Sequence, residues 1–422
     1  MTNNSPNHDE HEMNRELFPL IEDEEYPAEE PNHPGWLSLG EILRNSHPVF
    51  EKSMFLIGYH HSSNVYVLAG DYLTLVDPGN DYTIFSELDK LGYGPLDIKK
   101  IVLTHGHRDH CMGVFELLRY PAVMQNKGVE IIMHAAGPAE FKRLVTEAGF
   151  PPTELKGGET LELSGFQWEV LHTPGHTIDG VCLYHEPTKT LISGDTVVPE
   201  GISDVDENAG GRWDHFLYGL KLLMKKDVEH LLPGHRVPVA VNGNRAIELA
   251  YEMALMKILA VTPEDRISWM EGAKRLGEKG LLEEVVFCCN KELALRPENK
   301  DALQLKALAL NDMGRCAEAI EILDEVLRRH PDDLYALTGK GHALLGLQQF
   351  ADSLPCFDAA LARDPNLKEA QVFKGMALTF MGRHDEAMQI EAFKTEFMAR
   401  FKDQIEQRQQ ELGQSSAGTE NH

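Results

Sequence analysis

Between residues 53 and 195 short apolar runs alternate with turn residues: SMFLIGY, NVYVLAG, LTLVDPG, KIVLTHG, VEIIMHA, ETLEL, FQWEVLH, GVCLYHE and KTLISGD. Short runs rich in β-branched and aromatic residues, bounded by Gly, Pro, Asn and Asp, predict strands. The stretches TIFSELDKLG, VFELLRY and AEFKRLVTEAG lie between some of them, and NRAIELAYEMALMKIL closes the region. Their apolar positions recur at helical spacing. The pattern predicts one mixed α/β domain over residues 35–261.

Beyond residue 261 the strand pattern stops. Pro297, Pro331 and Pro365 stand 34 residues apart, and three other series keep the same step. Ala273, Ala307, Gly341 and Gly375 are small; Leu276, Leu310, Leu344 and Leu378 are apolar; Val285, Ala319, Ser353 and Ala387 form the third. Small residues let paired helices approach closely, leucines fill between them, and proline ends the second helix. The period matches the tetratricopeptide repeat, with Trp269 at the aromatic position of the first unit. An all-α solenoid is expected over residues 262–412, opening with Thr262 as N-cap and Pro263 at the first helical position. The period fails after residue 387, with Ala399 where a further proline would fall, so a terminal capping helix running to about residue 411 is expected there.

Charge narrows the function. The chain carries 40 basic and 67 acidic residues, a formal −27. Affinity for nucleic-acid backbones and anionic membranes rests on Lys and Arg, so neither is an expected partner. No apolar run of about 18 residues predicts a membrane span. Residues 1–34 hold ten acidic side chains against Arg15 and have neither the basic nor the apolar segment of a secretory leader. They are expected to be a disordered acidic tail, and residues 413–422 a second disordered tail. The six cysteines form no CxxC pair and read as reduced thiols of a cytoplasmic protein, with Cys111 a small buried filler.

The candidate chemistry begins at Thr104-His105-Gly106-His107-Arg108-Asp109-His110, directly after the apolar run KIVL. In extended chain His105, His107 and Asp109 would share one side, and a turn at Asp109 would bring His110 inward. So many ligand-type groups at one strand end call for a cation, and imidazole with carboxylate suits zinc, iron or manganese. His176 in HTPGHT, Asp195 in LISGDT and His235 in LLPGHR each follow an apolar run on a Gly- or Pro-flanked loop. Seven ligands suit two divalent ions, with zinc expected and iron or manganese as alternatives. His105, His107 and His176 are assigned to one, Asp109, His110 and His235 to the other, and Asp195 is assigned to bridge them.

The order HxHxDH, TPGHT, GDT and PGH resembles the metallo-β-lactamase superfamily, in the branch of glyoxalase II and the acyl-homoserine lactonases. Asp77-Pro78-Gly79 matches that family's strand-end DxG turn, and Asn64 its usual Asn before the second strand. The resemblance spans about residues 54–260 and implies an αββα sandwich with a dinuclear site at one edge of its two sheets, and it implies the same ligand roles. Met112 departs from the family's DHxGG, where only Gly113 is kept.

The expected activity is metal-dependent hydrolysis of an ester-like bond, a thioester, lactone or related acyl group, by a hydroxide bridging the ions. Asp109 and Asp195 are its candidate catalytic groups, Asp109 as a proton acceptor. An iron-dependent, persulfide-dioxygenase-like oxidoreductase is the alternative; His107, where flavodiiron members usually carry glutamate, argues against that subclass. The 40 residues from Asp195 to His235 are too few for the inserted domain of one nuclease branch. The repeats predict a protein partner or self-association, with an adaptor carrying an accessory metal domain as a further alternative. Loops 134–158 and 199–215 are expected to select a small-molecule substrate, with Trp213 a loop anchor. His134, His172 and the pair His60-His61 are read as ordinary loop histidines.

Overall fold

The computed structural model describes residues 35–58, 62–80, 84–199, 201–261 and 267–400. They form two compact units, which divide within residues 262–266. The tails, Thr262-Pro263, His60-His61 and the end of the expected capping helix lie outside the described residues.

In the first unit a seven-stranded sheet runs β1 (Leu37–Ser38), β2 (Met54–Leu56), β3 (Val65–Ala69), β4 (Leu73–Val76), β5 (Ile98–Val102), β6 (Glu130–His134), β7 (Thr153–Leu155), in that spatial order. Pairing is antiparallel from β1 to β4 and parallel from β4 to β7. A second sheet comprises β8 (Thr160–Leu163), β9 (Phe166–His172), β10 (Val181–His185), β11 (Thr190–Gly194) and β12 (His230–Pro233), ordered β12-β11-β10-β9-β8. Only β11 and β12 pair parallel there.

Strand β3 shows why these runs are apolar throughout rather than alternating. Tyr66 and Leu68 face the other sheet and meet Trp168, Val170, Leu183 and Ile192. Val65, Val67 and Ala69 face the opposite way, into a core with Leu88, Val114, Phe141 and Val145 from helices Ile84–Lys90, Gly113–Leu117 and Ala139–Glu147. A sheet covered on both faces leaves no polar side. Helices Trp213–Leu223 and Gly243–Ile258 pack together against the second sheet, where a Cβ on Gly219 would lie 3.1 Å from Thr173 Cα, just past β9. The unit is therefore an αββα sandwich. Strands β4, β5, β9, β11 and β12 end at one edge, and the loops that leave them carry Asp77, His105, His176, Asp195 and His235.

The second unit is a run of helix pairs: Trp269–Glu278 with Leu282–Leu295, Lys300–Asp312 with Cys316–Arg329, and Leu334–Gly346 with Phe350–Arg363. Each second helix ends two residues before Pro297, Pro331 or Pro365, whose rings cannot continue it. Gly341 is required by packing, since a Cβ there would overlap the Phe357 ring. The first helix starts at Trp269 with Ser268 as its cap, accepting from Glu271 N. After Lys368–Phe380 and the single turn His384–Ala387, a helix covers residues 391–400, where the capping helix is expected; its continuation to about 411 lies outside the described residues.

Candidate metal centre

The loop after β5 is not extended as far as the sequence pattern suggested. His107 (φ −66°, ψ 147°) is the residue before a helical turn, Arg108–Cys111, so the turn rather than strand alternation presents Asp109 and His110. Two glycines make room for this. A Cβ on Gly113 would overlap the Pro78 carbonyl, which explains why this glycine of the DHxGG pattern is kept. A Cβ on Gly234 would overlap the Asp195 carboxylate, so glycine before His235 lets the two loops close up. Asn64 ties the same corner, donating to the carbonyls of Pro233 (2.9 Å) and Arg236 (2.7 Å).

All seven ligand-type side chains converge. Among the described residues three groups place one potential ligand atom each within 4.8 Å of one another: His105, His107 and His176; His105, His110 and Asp195; Asp109, His110 and His235. Asp195 lies between the halves, 3.5 Å from His110 Nε2, 3.7 Å from His176 Nε2 and 3.4 Å from His235 Nε2. Asp109 Oδ2 is 3.1 Å from His235 Nε2.

Hydrogen bonds behind the site fix which nitrogens face it. Asp77 Oδ2 accepts from His110 Nδ1 (2.9 Å) and from Thr104 Oγ1 (2.6 Å), and Thr104 Oγ1 accepts from His105 Nδ1 (3.2 Å). The Asp204 carbonyl accepts from His176 Nδ1 (2.5 Å), and Asp206 Oδ2 from His107 Nε2 (3.0 Å). Carbonyls and carboxylates only accept, so each of these ring nitrogens carries the proton. In the neutral rings the nitrogens left facing the site are lone pairs, and those of His107 Nδ1 and His176 Nε2 then face one another across 3.0 Å. His105 Nε2, His110 Nε2 and Asp195 Oδ1 are buried with no hydrogen-bond partner. Lone pairs facing each other in a buried space are costly unless a cation lies among them. The donor set therefore fits metal ions on the chemistry of its own atoms.

The electrostatics divide the histidines: against the effect of burial, Asp195 and Asp77 push His110 well above the ordinary range and Asp109 and Asp195 raise His235 to about 9, so at these two rings a proton competes with a cation. Burial and the neighbouring imidazoles hold His105 well below the ordinary histidine range, favouring the neutral form that can ligate. For Asp195 burial would favour the protonated acid, but His110 and His235 outweigh it and keep the group ionised. Burial pushes the Cys111 thiol up to about 12, which leaves it inert beside His110.

The other singled-out residues are structural. His134 and His172 stack at 4.1 Å, and His172 Nε2 donates to the Ile178 carbonyl. Trp213 stacks on Phe216 at 5.7 Å with Lys257 over its ring, anchoring its loop. Met112 packs against the apolar core under the helices. The sequence reading missed Thr104, the Asp204 carbonyl and Asp206. Asp206 was visible only as one acid among several in SDVDEN, and a backbone carbonyl has no sequence signal.

Comparison with known families agrees with this site. The chain carries a metallo-beta-lactamase superfamily domain, matched by that family's model at residues 58–235, and tetratricopeptide repeats matched at residues 304–344 and 338–392. Among the relatives it matches are proteins named as hydrolases. A probable metallo-hydrolase of Methanocaldococcus jannaschii is 28% identical over 199 residues, 43% of this chain and 90% of that one. A hydroxyacylglutathione hydrolase of Hydrogenovibrio crunogenus is 30% identical over 151 residues, 35% of this chain and 48% of that one. An atrochrysone carboxyl ACP thioesterase of Aspergillus fumigatus is 28% identical over 148 residues, 34% of this chain and 31% of that one. The chain thus spans less than half the length of the last two. Among the described residues no helix is long and apolar enough to cross a membrane.

Proposed function

We propose that residues 35–261 form a dinuclear metallohydrolase that cleaves an ester-like bond, a thioester or lactone, and that residues 262–412 serve protein interaction or self-association. The observation that carries this is the convergence of His105, His107 and His176 in one group and of Asp109, His110 and His235 in another, with Asp195 within 3.7 Å of His176 and 3.5 Å of His110 and its Oδ1 buried without a hydrogen-bond partner. His105, His107 and His176 would hold one ion and Asp109, His110 and His235 the other, with Asp195 shared. Two such ions, most simply zinc, supply Lewis acidity and water of lowered pKa.

The chain's own residues do the rest. Asp77 and Thr104 accept from the outer nitrogens of His110 and His105, which aims both rings and leaves Nε2 of each to face the ions. Asp109 is the more open carboxylate, its side chain 29% exposed against 9% for Asp195, so it can take a proton from an attacking water at Oδ2. The loop residues Val205, Glu207, Gly210, Gly211 and Trp213 line a cavity of about 460 Å³, the proposed seat for part of the substrate. The thioester class is supported by two relatives, a hydroxyacylglutathione hydrolase and an atrochrysone carboxyl ACP thioesterase. In the repeats, Leu305, Leu308, Tyr335, His342 and Phe373 line a groove of about 450 Å³ suited to a protein segment.

Elemental mass spectrometry of the purified chain, followed by thioester and lactone hydrolysis, tests the reading. Two zinc ions per chain and turnover abolished by chelation are expected. Predominant iron with oxygen uptake would move the site to oxidoreductase chemistry, and little metal after reconstitution would overturn the enzyme reading.

A further inference from the structure

Asp206 sits 99 positions beyond His107 in the chain, on the loop that follows β11, yet its Oδ2 lies 3.0 Å from His107 Nε2. Every other polar group of the residue is committed. Its Oδ1 accepts from Asn208 N (2.9 Å) and Ala209 N (3.4 Å), capping the short turn Glu207–Ala209. Its backbone N–H donates to the His176 carbonyl (2.8 Å), and its carbonyl accepts from Gly211 N (2.8 Å). A residue pinned at four points has little freedom to place its remaining oxygen elsewhere. The loop is also tied from outside, where Lys257 donates to Asp204 Oδ1 (2.9 Å) and lies over the Trp213 ring.

We infer that Asp206 is a positioning residue: it holds the proton on His107 Nε2 and so turns the Nδ1 lone pair toward His105 and His176. The inference rests on the metal-pair reading for its purpose but not for its geometry. Without an acceptor at Nε2, a neutral imidazole can place its proton on either nitrogen, and protonation at Nδ1 would block the ligand atom. An outer-shell carboxylate of this kind is typically worth 10–100-fold in metal affinity.

Asp206→Asn separates this role from the cap. The amide oxygen still accepts from Asn208 N and Ala209 N, while the amide nitrogen that replaces Oδ2 cannot accept from His107. Two readouts on the full chain decide it. In the metal-free protein at mildly alkaline pH, nitrogen NMR of the His107 ring should show the Nε2–H tautomer, and Asp206→Asn should lose that preference. In a cobalt titration the variant should bind one of two ions about 10–100-fold more weakly, with altered visible absorption and an unchanged melting temperature. An unchanged tautomer, or wild-type affinity for both ions with the same spectrum, would overturn the inference. Should Asp206→Asn melt early, Asp206→Ser keeps an acceptor for the cap and takes its place. If the unaltered chain binds fewer than two cobalt ions, the metal-pair reading falls, and the tautomer comparison still decides the role of Asp206.

Discussion

Asp77 Oδ2 lies 2.9 Å from His110 Nδ1, with both side chains buried, and through Thr104 Oγ1 the same oxygen also reaches His105. One carboxylate thus sets an imidazole in each half of the proposed centre. Removing it in Asp77→Ala strands Thr104 and His110 in a dry interior, so a loss of about 3–5 kcal/mol is expected. Urea unfolding of the metal-free protein checks this, and a change under about 1 kcal/mol would refute the hub role.

Asp195→Ala should lower metal occupancy and cut turnover by well over about 100-fold, because a shared ligand counts for more than the outer-shell partners behind it. Metal analysis and steady-state rates on the same preparation test it. Unchanged turnover would sink the shared assignment.

Metal and folding should be linked. An ion that binds only the folded chain stabilises it by about 2.7 kcal/mol at a hundredfold excess over its dissociation constant. Thermal unfolding with zinc and with chelator should therefore differ by several degrees. Coincident curves would contradict a site built from five loops of the sandwich.

Away from the centre, burial and the His47 ring depress His185 to about 4, while its Nδ1 bonds Thr188 Oγ1 and its ring packs on Trp168. The unfolded histidine titrates near 6.5, so the unfolded chain binds more protons between these values. Stability is full above pH 6.5 and falls toward pH 4, by on the order of 2 kcal/mol from this group. His185→Phe should flatten that acid limb in denaturant titrations. An identical limb in both proteins would show that the loss arises elsewhere.

Gly113→Ala should destabilise by about 1–3 kcal/mol, since its methyl would meet the Pro78 carbonyl rather than a flexible side chain. A melting temperature equal to wild type would mean that the Pro78 turn moves freely.

The architecture was largely legible in the chain. Runs such as VYVLA announce a strand covered on both faces, and the prolines at 34-residue spacing place helix ends within two residues. The ligand-type residues could be found because each follows an apolar run. What failed was local geometry: Arg108–Cys111 is one helical turn, too short to show a period, so the alternation drawn through Asp109 was misapplied. Nor could the sequence show that His107 offers Nδ1 rather than Nε2, because that choice depends on an acid 99 positions away.

His176 and His107 are oriented by the same short loop in two different ways, one by the Asp204 carbonyl and one by the Asp206 side chain. A carbonyl survives any substitution, so position 204 can mutate without disturbing His176 as long as the loop keeps its path. Position 206 has no such freedom. The loop's outer surface can therefore diversify toward new substrates while a single side chain carries the inheritance, and drift at 206 would mark lineages whose chemistry has changed.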